Sequence, residues 1–254
     1  IATNTHQMSV QSDIINGYIT GHFIFKSLKN SILNLVKDYI PSSLGRKENH
    51  TAQNNFIYNI NITKLEPLCN FLDIDWTTND SINISGFYND IKNDIAFNLN
   101  IPSIIKKRGK TSFKGLNIQL ANDDKQLYLT ANADIVAPKN TMSLHSNFQL
   151  RNDSLLSFIQ WGSNKAQLFE GEITALSAFS TKNDTLQTIT NILPTQFVLR
   201  DSIWDIAPAK ISTHSSNILI EDFSIAKRNQ FLTLNGKASK APKDTIDIQL
   251  KNID

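Results

Sequence analysis

The chain has 254 residues, 40% of them apolar, with a formal net charge of +2, so it is long enough for a sizeable core, too apolar for a disordered chain, and without the basic stripe that nucleic acid demands. No run of apolar residues approaches the roughly 18 that a membrane-spanning helix needs. A single cysteine, Cys69, excludes a disulfide framework and a thiolate metal site, and with nine glycines phosphate-cradling loops are not expected.

In chain order, His6 to Ile15 and Tyr18 to Phe25 are two strand-like runs, expected to join at Asn16-Gly17, a good tight-turn pair. A helix follows from about Ser27 to Ile40. Leu28, Ile32, Leu35, Val36 and Tyr39 recur at helical spacing, with Ser27 as the expected cap and Pro41 as the stop. Such a helix either lies on a membrane surface or closes one end of an oily sheet; three lysines partly offset by Asp38 favour the covering role. Residues 46 to 55 read as a polar loop.

Phe56, Tyr58, Ile60 and Ile62 then alternate as a strand. Thr63-Lys-Leu-Glu66 has the form of a capping box, and a short helix is expected near 64–72 with Cys69 packed on its apolar side. A long series of alternating runs follows. It includes Ile95, Phe97 and Leu99, then Leu116, Ile118 and Leu120, then Leu127 and Leu129, and Met142 to Leu150. Turn residues separate these runs by 10 to 15 positions, which favours antiparallel hairpins over βαβ units. The run from Ser154 to Trp161 fits a strand or a helical turn. Beyond Gln167 strands resume, with turns expected at 207–210, 227–229 and 240–244; Leu232 and Leu234, then Ile246, Ile248 and Leu250, carry the last alternations.

The expected fold is all-β: an elongated, strongly curved, mostly antiparallel sheet, with sub-units conceivable at 1–150 and 151–254 within one elongated unit. Ile82-x-Ile84-x-Gly86 and Leu232-x-Leu234-x-Gly236 each precede an aspartate-led alternation, a faint repeat of one hairpin unit. Asparagine is heavily used on the wet parity of strands, as at Asn59, Asn61, Asn83, Asn98 and Asn100. The cluster Lys106, Lys107, Arg108 and Lys110 reads as a solvated turn.

No catalytic constellation emerges. The five histidines lack metal-ligand spacing, and there is no nucleophile elbow, Walker loop or dinucleotide fingerprint. The chain is therefore expected to be a binding protein with neither catalytic residues nor cofactor. Trp76, Trp161 and Trp204 would stack on sugars if exposed, but core packing is the simpler reading of Trp204. Every Asp followed by Ser or Thr is followed in turn by Ile or Leu: Asp80-Ser81, Asp153-Ser154, Asp184-Thr185, Asp201-Ser202 and Asp244-Thr245. A turn residue, a hydroxyl and the first inward residue of a strand explain this. The pattern also resembles the Asp-(Ser/Thr)-aliphatic sequon of an O-glycosylation system for exported proteins in some Gram-negative bacteria, making Ser81, Ser154, Thr185, Ser202 and Thr245 candidate sites.

The block from Leu193 to Pro208, continued by Ile218–Ile225, Asn229–Gly236 and Asp244–Ile253, resembles a recurrent block of TamB-like proteins of the AsmA-like superfamily. Gly21 to Leu28, running into a helix that ends at Tyr39-Ile-Pro41, is similar to the same family. The resemblance implies an interior piece of a periplasmic protein anchored to the inner membrane by a segment outside this chain. It implies a sheet trough carrying phospholipid or another acyl lipid, and an Omp85-type outer-membrane partner for the parent. The expected groove lining is Ile95, Phe97, Leu99, Leu127, Leu129, Leu232, Leu234, Ile246, Ile248 and Leu250. A rival reading is an extracellular β-sandwich, adhesin or glycan-binding module, whose core would be sealed.

Overall fold

In a computed structural model of the chain, residues 5–42, 53–106, 111–123, 125–138, 140–163 and 169–252 are described. The predicted loop at 46–55 and the basic cluster after Lys106 fall largely outside them. Among the described residues eighteen strands form one sheet, and every pairing between them is antiparallel.

The chain enters through β1 (His6–Gln11) and β2 (Ile15–His22), crosses the sheet as helix α1 (Phe25–Tyr39), and re-enters at β3 (Asn55–Ile62). After α2 (Glu66–Phe71) come β4 (Trp76–Thr77), β5 (Ile82–Asn89), β6 (Asp94–Lys106), β7 (Ser112–Asn122), β8 (Leu127–Ala137) and β9 (Asn140–Arg151). Then follow β10 (Ser154–Ser163), β11 (Phe169–Lys182), β12 (Thr185–Ile192), β13 (Thr195–Leu199), β14 (Ser202–Ile206) and β15 (Ala209–His214). The chain closes with β16 (Asn217–Lys227), β17 (Gln230–Ala238) and β18 (Ile246–Lys251).

The registers reduce this to a meander in which each lane lies between its chain neighbours. Two lanes are tandem strands interrupted at proline. Strands β12 and β13 together run the length of β11, broken at Leu193-Pro194, and β14 and β15 run beside them, broken at Ala207-Pro208. The breaks face each other, since Ile192 pairs Ala209 and Thr195 pairs Ile206. Proline has no N–H for the ladder, so both strands lose pairing at one level and continue beyond it. The expected turn at 207–210 is therefore corrected: the chain passes straight through Pro208.

Three more local expectations are overturned. The reversal between β1 and β2 lies at residues 12–14, where the Ser12 hydroxyl accepts from the amides of Ile14 and Ile15 at 3.1 and 2.9 Å. Asn16 and Gly17 pair inside β2, and a Cβ at Gly17 would meet the Asn59 carbonyl oxygen at 2.7 Å. Helix α1 starts at Phe25 with no side-chain cap, and Ser27 donates instead to the Ile24 carbonyl oxygen at 3.0 Å. Likewise Thr63 caps nothing: its hydroxyl bonds the Asp13 and Ile14 carbonyl oxygens, tying α2 to the first turn. Residues 154–161 are strand, within β10.

Helix α1 shows how strongly the sheet bends. Ser31 bonds Asp90 at the β5–β6 turn, and the Tyr39 carbonyl oxygen accepts from the Asp153 amide at the β9–β10 turn. Those turns are four lanes apart, about 19 Å along a flat sheet at roughly 4.8 Å per strand. Eight helical residues advance only about 12 Å. The sheet wraps the helix, and Leu35 and Tyr39 pack with Phe56 and Tyr88 while Ile19, Ile95, Leu127 and Leu150 close in from lanes on both sides.

Candidate functional site: an apolar sheet face

Because side chains alternate across a strand, the registers fix which residues share a face. A first row beneath α1 reads Phe56, Tyr88, Ile95, Asn122, Leu127, Leu150 and Leu155 across β3 to β10. The next reads Tyr58, Gly86, Phe97, Leu120, Leu129 and Phe148, and a third Ile60, Ile84, Leu99, Ile118, Ala131, Ser146 and Ile159. The same face continues through Ile173, Ile206, Ile225, Leu232 and Leu250. All ten residues expected to line a groove lie on it: Ile95, Phe97, Leu99, Leu127 and Leu129 toward the N-terminal half, and Leu232, Leu234, Ile246, Ile248 and Leu250 at the last hairpin.

Helix α1 covers the first row of this face; beyond it, among the described residues, Ile82, Ile101, Ile206 and Ala209 are also buried on the face, and most of its other apolar side chains are half-buried. Among the described residues nine hydrophobic side chains are buried, and Leu35, Tyr39, Phe56 and Tyr88 of these form the cluster at the helix. At the β18 edge Ile248 and Leu250 are 62% and 65% exposed. The chain exposes 16128 Å², where a compact protein of its mass exposes roughly 11,300 Å².

The rim away from α1 is aromatic. Trp161, Gly171, Phe197 and Trp204 pair in one row, with ring centroids 6.3 Å apart for Trp161–Phe197 and 6.4 Å for the stacked Phe197–Trp204. Phe169 sits 5.7 Å from Trp161. Gly171 is required here, because a Cβ would meet Phe197 Cβ at 2.4 Å and Trp161 Cζ2 at 2.8 Å. The Lys227 ammonium lies 5.7 Å over the Trp204 ring. Trp204 is thus a half-buried wall of the open face. Sequence parity placed its side of the strand, but its ring partner Phe197 and the Lys227 ammonium lie on the two flanking lanes, which no local pattern reveals.

The opposite face is amide-rich. Asn16, Asn61, Asn83, Asn100, Asn117 and Asn132 stand opposite one another in successive lanes, followed by His145, Gln160 and Glu172. Asn83 bonds Asn59 diagonally at 3.3 Å, His145 bonds Asn132, and Asn147 lies 3.1 Å from His145. The wet parity of Asn61, Asn83 and Asn100 was legible in the sequence, but Asn16, Asn117 and Asn132 join them only through the pairing register.

Titratable groups near α1 are shifted by burial. Desolvation raises Tyr88, Tyr58 and Tyr39 above the ordinary tyrosine value; bonds from Ser31 and Asn122 oppose it at Tyr88 and Tyr39. No three His, Cys, Asp or Glu side chains among the described residues are grouped to hold a metal ion. Cys69 is buried in α2.

The candidate modification residues sit at strand starts. Ser154, Thr185 and Ser202 each open a strand after a two-residue turn whose both positions have positive φ: Asn152-Asp153, Asn183-Asp184 and Arg200-Asp201. This is the mirror-image turn whose twist suits a hairpin, and Asn and Asp tolerate it. Ser81 and Thr245 immediately precede β5 and β18. Comparison of the chain with known protein families, curated proteins and solved structures finds no match.

Proposed function

We propose that this chain is a lipid-binding trough: an envelope segment of the TamB-like kind that holds acyl chains of phospholipid along its apolar face. In the parent protein it would sit in the periplasm as part of a bridge from an inner-membrane anchor, and work with an Omp85-type outer-membrane partner. The observation that carries this reading is the apolar face that continues from β3 to β18, half-buried along most of its length and exposed at Ile248 and Leu250. Acyl chains need an oily lining and no specific polar groups, so the role is binding rather than catalysis. Leaving an apolar strip of about 1,000 Å² in water forgoes on the order of 25 kcal/mol of burial, and monomers rarely do so without a use for it.

The rival sandwich needs two stacked sheets with their inner faces together. Among the described residues all eighteen strands belong to one sheet, and no second sheet is present to stack on it. Purifying the chain, extracting it with organic solvent and analysing the extract for lipid tests the proposal. Phospholipid at near one or more molecules per chain is the expected result; a lipid-free chain that also fails to take up an apolar dye overturns it.

A further inference from the structure

Building on that reading, we propose that the corner where β13, β14, β16 and β17 meet seats the head group of an anionic phospholipid, with its acyl chains running onto the adjoining apolar face. A depression of about 430 Å³ opens there. Phe197, Trp204, Ile225 and Leu232 form its wall, and Arg200 and Lys227 its cationic lip.

The lip is built, not incidental. Lys227 Nζ donates to Ser202 Oγ at 2.6 Å and rests over the Trp204 ring, so both of its partners are neutral. Ser202 Oγ in turn bonds the Arg200 carbonyl oxygen at 3.4 Å, linking both cationic residues through one hydroxyl. An ammonium carries three donors, and one hydroxyl leaves donors free for a further acceptor. Arg200 stands in the tight turn with φ of 49°, and its neighbour Asp201 is exposed on that turn. No carboxylate lines the depression. Three other depressions each carry acidic groups: Asp134 in one, Glu170 and Glu172 in another, Asp38 and Asp123 in a third.

Two cations without an acidic counterpart beside an aromatic wall complement an anion joined to hydrocarbon. A free anion would leave the wall unused, and a neutral hydrocarbon would leave the cations unused. Phosphate on a diacylglycerol satisfies both, through charge-assisted hydrogen bonds that exceed neutral ones in strength.

The test uses the delipidated chain and two sets of vesicles with identical brominated acyl chains, one of phosphatidylglycerol and one of phosphatidylcholine. Bromine quenches tryptophan fluorescence on contact, and Trp161 and Trp204 face the trough. Phosphatidylglycerol is expected to quench at about tenfold lower concentration, the effect of roughly one strong charge-assisted contact. The double variant Lys227→Gln with Arg200→Gln loses the preference and keeps the phosphatidylcholine curve, whereas Lys240→Gln with Lys243→Gln, which removes as much charge elsewhere, keeps the preference. Circular dichroism of each variant checks its fold, and Lys227→Arg retains the preference. Equal quenching by the two lipids, a preference surviving in the double variant, or its full loss to equimolar inorganic phosphate overturns the head-group seat and leaves the trough standing. Quenching by neither lipid overturns the trough itself.

Discussion

The Ser31 hydroxyl on helix α1 and the Tyr88 phenol on β5 lie 2.6 Å apart, 57 positions apart in the chain, and both residues are buried. Ser31 also bonds Asp90, which accepts from the Asn54 amide at 2.8 Å, so helix, turn and strand share one polar knot inside the aromatic cluster. Tyr88→Phe leaves Ser31 its bond to Asp90 and is expected to cost about 1 kcal/mol in denaturant unfolding. Leu35→Ala, which empties the centre of the same cluster, is expected to cost about 2–5 kcal/mol.

The buried tyrosines make the helix end sensitive to alkali. Tyr88, Tyr58 and Tyr39 have raised values in the folded chain, chiefly by desolvation. The unfolded chain therefore ionises first, near the ordinary tyrosine value of 10.0, and the stability these groups contribute is present below that pH and lost as pH rises through the folded values. Tyrosinate absorbance and circular dichroism followed together should change together above the ordinary range, and Tyr88→Phe should delay the transition. Independent ionisation of Tyr39, Tyr58 and Tyr88 near 10.0, with the fold intact, would refute the coupling.

Acid acts at the β7–β8 turn. Asp123 is held below the carboxylate value of 3.8 by the Lys125 and Gln126 amides, then by the Tyr128 phenol. A lowered folded value gives a contribution that is present above 3.8 and lost as pH falls from there through the lower folded value. Amide exchange at Lys125 and Gln126 should rise in that window for the native chain and be insensitive to it in Asp123→Asn.

Gly171 holds the aromatic rim together by its lack of a side chain. Gly171→Ala must push Phe197 and Trp161 apart, an overpacking expected to cost on the order of 1–3 kcal/mol. Tryptophan emission should shift to the red as the rim opens. Gly162→Ala, with nothing within 4 Å of the added carbon, is the control and should leave emission unchanged.

The amide ladder predicts a salt-dependent response. Asn100→Asp with Asn117→Asp places two carboxylates directly opposite each other, expected to cost about 0.2–1 kcal/mol at low salt and less as salt screens the pair. Threonine at the same two positions should show no salt dependence in urea titrations.

Much of the fold was legible because a half-buried strand writes its parity into the sequence. Phe56 to Ile62 and Leu127 to Ile135 read directly as strands, and Ile57, the apolar residue on the wet side, is 52% exposed. What escaped were events that break parity. A bulge between Ile220 and Phe223, with Asp222 at a φ of 60°, shifts β16 by one residue against β17, and another lies between Lys114 and Asn117. Pro208 read as a turn because its missing N–H is local, while the facing break at Pro194 that accommodates it is not. Asn16-Gly17 carried turn chemistry that the Ser12 hydroxyl displaced by four positions. The candidate site was legible as a face, through its ten aliphatic and aromatic residues, but its cationic lip joins Arg200 to Lys227 across a strand pairing that only the fold supplies.

Each lane of the meander touches only the lanes made just before and just after it. A gene that duplicates one hairpin therefore lengthens the sheet by two strand spacings, about 10 Å, without recutting any existing interface. Reach becomes a counted quantity, set by how many times the chain turns, and distance across a gap can be tuned by recombination alone.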